Sequence, residues 1–109
     1  MSSLLPVPEV SPADARARAA QSAALLDCRE HAELRLAKID GATHIPMDEI
    51  PRRLAELDPS REWIVFCHHG GRSLAVSQFL LKQGFPRVSN LSGGIDAWSL
   101  EVDPAVPRY

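Results

Sequence analysis

The sequence predicts an α/β fold: a small, mostly parallel sheet of about five strands with helices on both faces. Short apolar segments alternate with helical patterns along the chain, and strands that alternate with helices return in parallel. The most compact run, Trp63-Ile64-Val65-Phe66, is apolar at every position, as a strand buried on both faces requires. Cys67 comes directly after it, at the carboxyl end of a strand, where sites form in such sheets.

The elements are read in chain order. Residues 7–10 form a short edge strand. Ser11 then caps a helix that has Pro12 in its first turn and Asp14 close behind, and that runs to about Gln21. Residues 23–26 read as a buried strand ending at Asp27, and residues 30–37 as a short helix with Ala32 and Leu36 four apart. Gly41 turns the chain into a third strand over 42–45. Residues 48–57 place Ile50, Leu54 and Leu57 on one helical face, and Asp58-Pro59-Ser60 ends that helix. After the strand at 63–66, a helix carries Leu74, Phe79, Leu80 and Leu81 and stops at Gly84. A last strand spans 87–91, and Gly93-Gly94 leads into a short helix holding Ile95 and Trp98. Met47, Phe79 and Phe85 are expected in the core, and Trp98 in the core or in a pocket wall. Pro104 and Pro107 make the end of the chain an extended surface arm.

The 109 residues fit a single domain, 1–109, with a core of about 8–98 and an extended tail over 101–109. A chain of this length buries roughly 65% of its unfolded surface, enough for a core without disulfides. Twelve Lys and Arg against fourteen Asp and Glu leave a net charge of −2, which points to neither a nucleic-acid partner nor a membrane surface. No apolar run is long enough to span a bilayer, and the N-terminus lacks the pattern of a signal peptide. Two cysteines, Cys28 and Cys67, are too few for a secreted disulfide framework, so the chain reads as cytoplasmic.

The chemistry concentrates in Cys67-His68-His69-Gly70-Gly71-Arg72-Ser73. A strand delivers a cysteine into a tight loop that opens into a helix. Successive N–H groups in such a loop form an anion cradle, and a helix N-terminus adds partial positive charge. Gly70 and Gly71 let the backbone curl, and Arg72 adds a formal charge. A thiol held there ionises easily, provided the loop is open to solvent, and the thiolate is the nucleophile. His68 and His69 either add positive charge at the rim or are simply exposed loop residues. No metal or cofactor is expected, because Cys67, His68 and His69 are adjacent and, with His31 or His44, lack zinc-ligand spacing.

Three segments together resemble the rhodanese family of sulfurtransferases. Cys67 to Ser73 is similar to its active-site loop, C-x-x-G-x-R-S. Leu25-Leu26-Asp27-Cys28-Arg29-Glu30, with Glu33 beyond, is similar to an early L-[LI]-D-[VT]-R segment. Leu91-Ser92-Gly93-Gly94-Ile95-Asp96-Ala97-Trp98 is similar to a late L-x-G-G-x-x-x-W segment. The chain departs from the pattern at Lys38 and Asp40, where the family usually has His and Pro, and at Cys28, where it usually has Val or Thr. The ending, 103–109, looks like that of rhodanese domains that close ubiquitin-activating-like enzymes.

The resemblance implies a rhodanese-like fold and a transferase with Cys67 as nucleophile. A persulfide on Cys67 would carry sulfur from a small anionic donor such as thiosulfate to a thiol or protein acceptor. His68, His69, Gly70, Gly71, Arg72 and Ser73 would form the anion-binding loop. Asp27 and Arg29 would support it through hydrogen bonds, where their types alone allow ordinary surface charges at a strand end. Arg72 would either clamp the loop by pairing with Asp27 or Glu33 or reach the donor's sulfonate. One rival is a cysteine-based phosphatase or arsenate reductase-like enzyme. Phosphatases of that fold place Arg six positions after Cys, and here Arg72 stands five after Cys67. The other rival is a non-catalytic rhodanese-like binding module, a class that commonly lacks the cysteine present here.

Overall fold

The computed structural model describes residues 5–109. Its centre is a sheet of five parallel strands in the order β1-β5-β4-β2-β3. In chain order these are β1 (Glu9–Val10), β2 (Ala24–Asp27), β3 (Thr43–His44), β4 (Trp63–Phe66) and β5 (Val88–Leu91). Four helices connect or succeed them: α1 (Pro12–Gln21), α2 (His31–Leu34), α3 (Gly71–Lys82) and α4 (Gly94–Glu101). Ser11 caps α1 as expected, its side chain accepting from the Asp14 N–H at 3.2 Å.

Alternation along the central strands sends successive side chains to opposite faces. Leu26, Trp63 and Val65 join the cluster under α3, with Val76, Leu80 and Phe85. Leu25, Ile64 and Phe66 join the cluster on the other face, with Ala15, Ile95 and Trp98 of α1 and α4. Met47 and Phe79 pack against the first cluster from its edge. A sheet covered on both faces explains why β2 and β4 are buried at every position.

Two elements differ from expectation. The helix read over 30–37 spans only His31–Leu34. Residues 48–57 do not form an α-helix. The chain makes two 3₁₀ turns, Met47–Glu49 and Pro51–Glu56, with a kink at Arg53. Pro51 has no N–H to donate to Met47, so the i→i−4 ladder cannot pass through it. The apolar face survives the change, with Ile50 and Leu57 buried in the α3-side core. The end of the chain lies on the surface, with Pro104, Ala105 and Pro107 to Tyr109 exposed, and is pinned to the fold at two points. Val106 is buried in the α4-side cluster, Ser99 Oγ donates to its carbonyl, and Tyr109 returns to the end of β2.

The strand order places β4 in the middle, between β5 and β2. The chain runs outward from β2 to β3 and then crosses to β4 on the other side of β2. This reversal opens a crevice at the carboxyl ends of β2 and β4, and residues 27–29 and 67–73 meet there.

Candidate active site

Phe66 pairs with Asp27 across β4 and β2, so Cys67 and Cys28 each come directly after a paired residue at the same level. Beyond Cys67 the backbone turns sharply. Gly70 takes φ +117, a left-handed value that only glycine adopts freely, and α3 starts at Gly71. Gly71 itself has no positive φ and open space where a Cβ would sit, so only the first of the two glycines is needed for the turn.

The loop's carbonyls are held outward by α4. Ile95 N–H donates to Cys67 O at 2.9 Å and Asp96 N–H to His68 O at 3.2 Å. These donors belong to the first turn of α4, where N–H groups lack intrahelical partners. Gly94 permits the approach, because a Cβ there would collide with the carbonyl oxygens of Cys67 and His68. With its carbonyls engaged, the loop turns N–H groups inward. Gly70 N–H lies 3.1 Å and Ser73 N–H 3.4 Å from Cys67 Sγ, and Ser73 Oγ is 3.3 Å away.

Burial works to raise the pKa of Cys67, and the hydrogen bonds from Ser73, Gly70 and His69 outweigh it, so its thiol lies below the ordinary range. The Ser73 hydroxyl contributes to this only when its single proton turns to the sulfur. The openness expected of the loop is not found: Cys67 is 2% exposed. Cys28 is fully buried and donates to Phe66 O at 3.4 Å. Burial, with the neighbouring Cys67 and Asp27, pushes its thiol up to about 12.

Arg72 grips Glu33 of α2 through both terminal nitrogens, at 2.6 and 3.0 Å. The Arg72 guanidinium is the main reason the Glu33 carboxyl sits at about 2. Glu33 also accepts from Glu30 N–H, in a capping box, and from Tyr109 Oη at 2.7 Å.

Asp27 and Arg29 are buried rather than surface charges. Arg29 Nε and Nη2 reach the two oxygens of Asp27 at 2.9 and 2.7 Å. Its other donors go to Ala37 O, Glu33 O and Tyr109 Oη, so all five N–H groups have partners. A buried ion pair this completely bonded holds the end of β2 rigid for the loop beside it.

Glu33, Asn90 and Tyr109 take larger parts than the sequence showed. The Tyr109 ring stacks on His68 with centroids 3.9 Å apart and a 6° tilt. His68 is half-buried and His69 exposed. Among the described residues, His68, His69 and Asp96 place ligand atoms within 4.8 Å of one another and could hold a cation, although Arg108 already pairs with Asp96 at 2.9 Å. Lys38 and Asp40 are not at the sulfur. They line a cavity of about 480 Å³ with Trp98 and Val106, which includes no residue of the Cys67 loop. No helix among the described residues is long and apolar enough to cross a membrane.

Comparison with known proteins finds sulfurtransferase-named and rhodanese-related proteins similar to this chain. A protein named Sulfurtransferase from Allochromatium vinosum is 39% identical, over 75% of this chain and 77% of its own length. Rhodanese-like/PpiC domain-containing protein 12, chloroplastic, of Arabidopsis thaliana is 40% identical over 80% of this chain, and the match spans only 30% of that longer protein. The solved structure of a rhodanese-related protein from Thermoplasma volcanium has a TM-score of 0.80 at 29% identity, covering 87% of this chain and 93% of that one. A family model described as rhodanese-like domain matches residues 11–101, and the chain belongs to that family.

Proposed function

We infer that the chain is a sulfurtransferase that moves a sulfane sulfur from a donor such as thiosulfate to a thiophilic acceptor through a persulfide on Cys67. The observation that carries this reading is the sulfur itself, held 3.1 and 3.4 Å from the Gly70 and Ser73 N–H groups at the mouth of a helix. In the first half-reaction the Cys67 thiolate attacks the outer sulfur of thiosulfate. A new S–S bond forms, the donor's S–S bond breaks, and sulfite leaves with its electron pair. In the second, an acceptor thiolate or cyanide attacks the terminal sulfur of the persulfide. Cys67 leaves as thiolate, and the acceptor departs as a persulfide or as thiocyanate. Fixed N–H donors stabilise the anionic sulfur at both stages without reorganising.

The binding of Arg72 to Glu33 favours sulfur over phosphate. A phosphoryl group needs a wide loop and a free guanidinium, and here the guanidinium is spent on the Glu33 carboxylate of α2. Mass spectrometry after incubation with thiosulfate tests the reading. One added sulfur is expected, mapped to Cys67, with cyanide-dependent turnover far above aryl phosphate hydrolysis. No added sulfur, or the opposite ranking of the two activities, overturns it.

A further inference from the structure

A chain of hydrogen bonds leads from the sulfur to the edge strand. Ser73 Oγ lies 3.3 Å from Cys67 Sγ and 2.5 Å from Asn90 Oδ1. Asn90 Nδ2 lies 3.0 Å from Glu9 Oε2 and 3.2 Å from Gly70 O. Ser92 Oγ donates to the other Glu9 oxygen at 2.9 Å.

Proton counting fixes the direction of this chain. Both partners of Asn90 Nδ2 are oxygens without protons, so the amide cannot be reversed, and Oδ1 must face Ser73. Oδ1 has no proton either, so Ser73 donates to it. A hydroxyl has one proton, and Ser73 is left with only lone pairs to offer the sulfur. Those lone pairs suit a neutral S–H, which can donate to them, and oppose a thiolate.

We propose that Asn90, anchored by Glu9, is a positioning residue that holds the Ser73 proton away from Cys67, so that ionisation of the sulfur requires Ser73 to break from Asn90 and turn. The inference rests on Cys67 being the reacting group, and it deepens that reading. Ser73 becomes a two-position donor: bonded to Asn90 while the thiol rests, bonded to the sulfur when Cys67 attacks or leaves as thiolate. Glu9 holds the amide in the orientation that sets the resting position.

Alkylation of Cys67 by iodoacetamide, measured against pH by peptide mapping, reads thiol ionisation whatever reaction the thiol performs. It therefore separates this inference from sulfur transfer. The charged and titratable groups around the sulfur are Cys28 beyond β2, Glu33 of α2, His68, His69 and Arg72 of the loop, Asp96 of α4 and Glu9 of β1. Asn90→Val adds and removes no charge among them; it releases Glu9 and Gly70 O from the amide and frees the Ser73 proton. It is expected to shift the alkylation midpoint to lower pH and to speed alkylation at neutral pH severalfold. The same substitution on a Ser73→Ala background is expected to produce no shift. An unchanged or higher midpoint in Asn90→Val, or an equal shift in both backgrounds, overturns the inference. Glu9→Gln on the exposed edge strand provides the same comparison without disturbing the core. Its smaller downward shift must also vanish with Ser73→Ala, because a through-space charge effect would persist.

Discussion

Cys28 and Cys67 stand at the same level on neighbouring parallel strands, and both are almost fully buried, yet they are opposite chemical groups. Cys28 faces a carbonyl, to which its thiol donates, and burial drives its pKa up to about 12. Cys67 faces the Ser73 hydroxyl and the Ser73 and Gly70 N–H groups, and donation from these brings its pKa down despite burial. Strand position and depth are therefore not what make a reactive cysteine in this fold. The decisive difference is which end of the peptide dipole points at the sulfur, and the segment after each strand sets it. After Cys67 a left-handed glycine and the first turn of α4 rotate the carbonyls outward. After Cys28 the next N–H, that of Arg29, turns to Asp27 Oδ1 at 3.0 Å instead of to the sulfur.

The largest effect is expected from exchanging the cysteines' roles. Cys67→Ser should abolish sulfur loading from thiosulfate. Cys28→Ala should load normally and lose about 1–2 kcal/mol of stability, as an ordinary core substitution does. Sulfur found on Cys28 in the Cys67→Ser protein would show that the two sites are not opposites.

Gly70→Ala attacks the loop and leaves the sulfur in place. At φ +117 an alanine is strained by about 1–3 kcal/mol, so the turn relaxes and the Gly70 N–H leaves the sulfur. The alkylation midpoint of Cys67 should rise toward that of an ordinary thiol, making it resemble Cys28. Gly71→Ala, in open space at a helical φ, is the control and should change neither stability nor midpoint. Equal effects from the two substitutions would remove Gly70 from the explanation.

Much of this was legible in the sequence, for identifiable reasons. The run 63–66 leading into Cys67, Gly70 and Arg72 contains its own punctuation, so strand, loop and helix were all readable. The capping at Ser11 and the rhodanese-like motifs were local as well. What escaped was non-local. Pro51 was the visible signal that 48–57 could not be one α-helix, but its apolar spacing fits a 3₁₀ turn and an α-helix equally well. The pairing of Arg72 with Glu33 joins residues 39 apart, and Asn90 reaches back to Glu9 across 81 positions. Pro104 and Pro107 disguised a tail anchored by the buried Val106 and by the hydrogen bonds of Tyr109 to Arg29 and Glu33.

Arg72→Lys loosens the loop more gently. Lysine keeps the charge and loses the planar fork that meets both Glu33 oxygens. The pair is partly exposed, so the expected loss is modest, about 1–2 kcal/mol, with slower sulfur loading. Glu33 is held at about 2, below its ordinary 4.5. A carboxyl lowered on folding stabilises the protein above its ordinary pKa, and that contribution disappears as pH falls from about 4.5 toward 2. The acid-unfolding midpoint should therefore move to higher pH in the Lys variant. A change confined to the KM for thiosulfate, with stability intact, would mean that Arg72 binds the donor instead.

The smallest effect is expected at Tyr109, where hydroxyl and ring can be separated. Its hydroxyl donates to Glu33 and accepts from Arg29, while its ring covers His68, the residue next to Cys67. Burial, and Glu33 against the opposing pull of Arg29, hold the phenol's pKa at about 12, so it remains a donor across the working pH range. Tyr109→Phe keeps the ring and loses both hydrogen bonds. Glu33 still has the Arg72 fork, and Arg29 Nη1 still has Glu33 O, so the cost should be about 0.5–1.5 kcal/mol with little change in sulfur loading. Tyr109→Ala also uncovers His68. Alkylation of Cys67 should then be faster at every pH, with the midpoint unmoved, because access changes and the N–H donors do not. Cys28 should remain unlabelled in both variants. A shifted midpoint in Tyr109→Ala would place the tail among the groups that set the acidity of Cys67. An unchanged rate would show that the tail braces α2 and has no part in access to the sulfur.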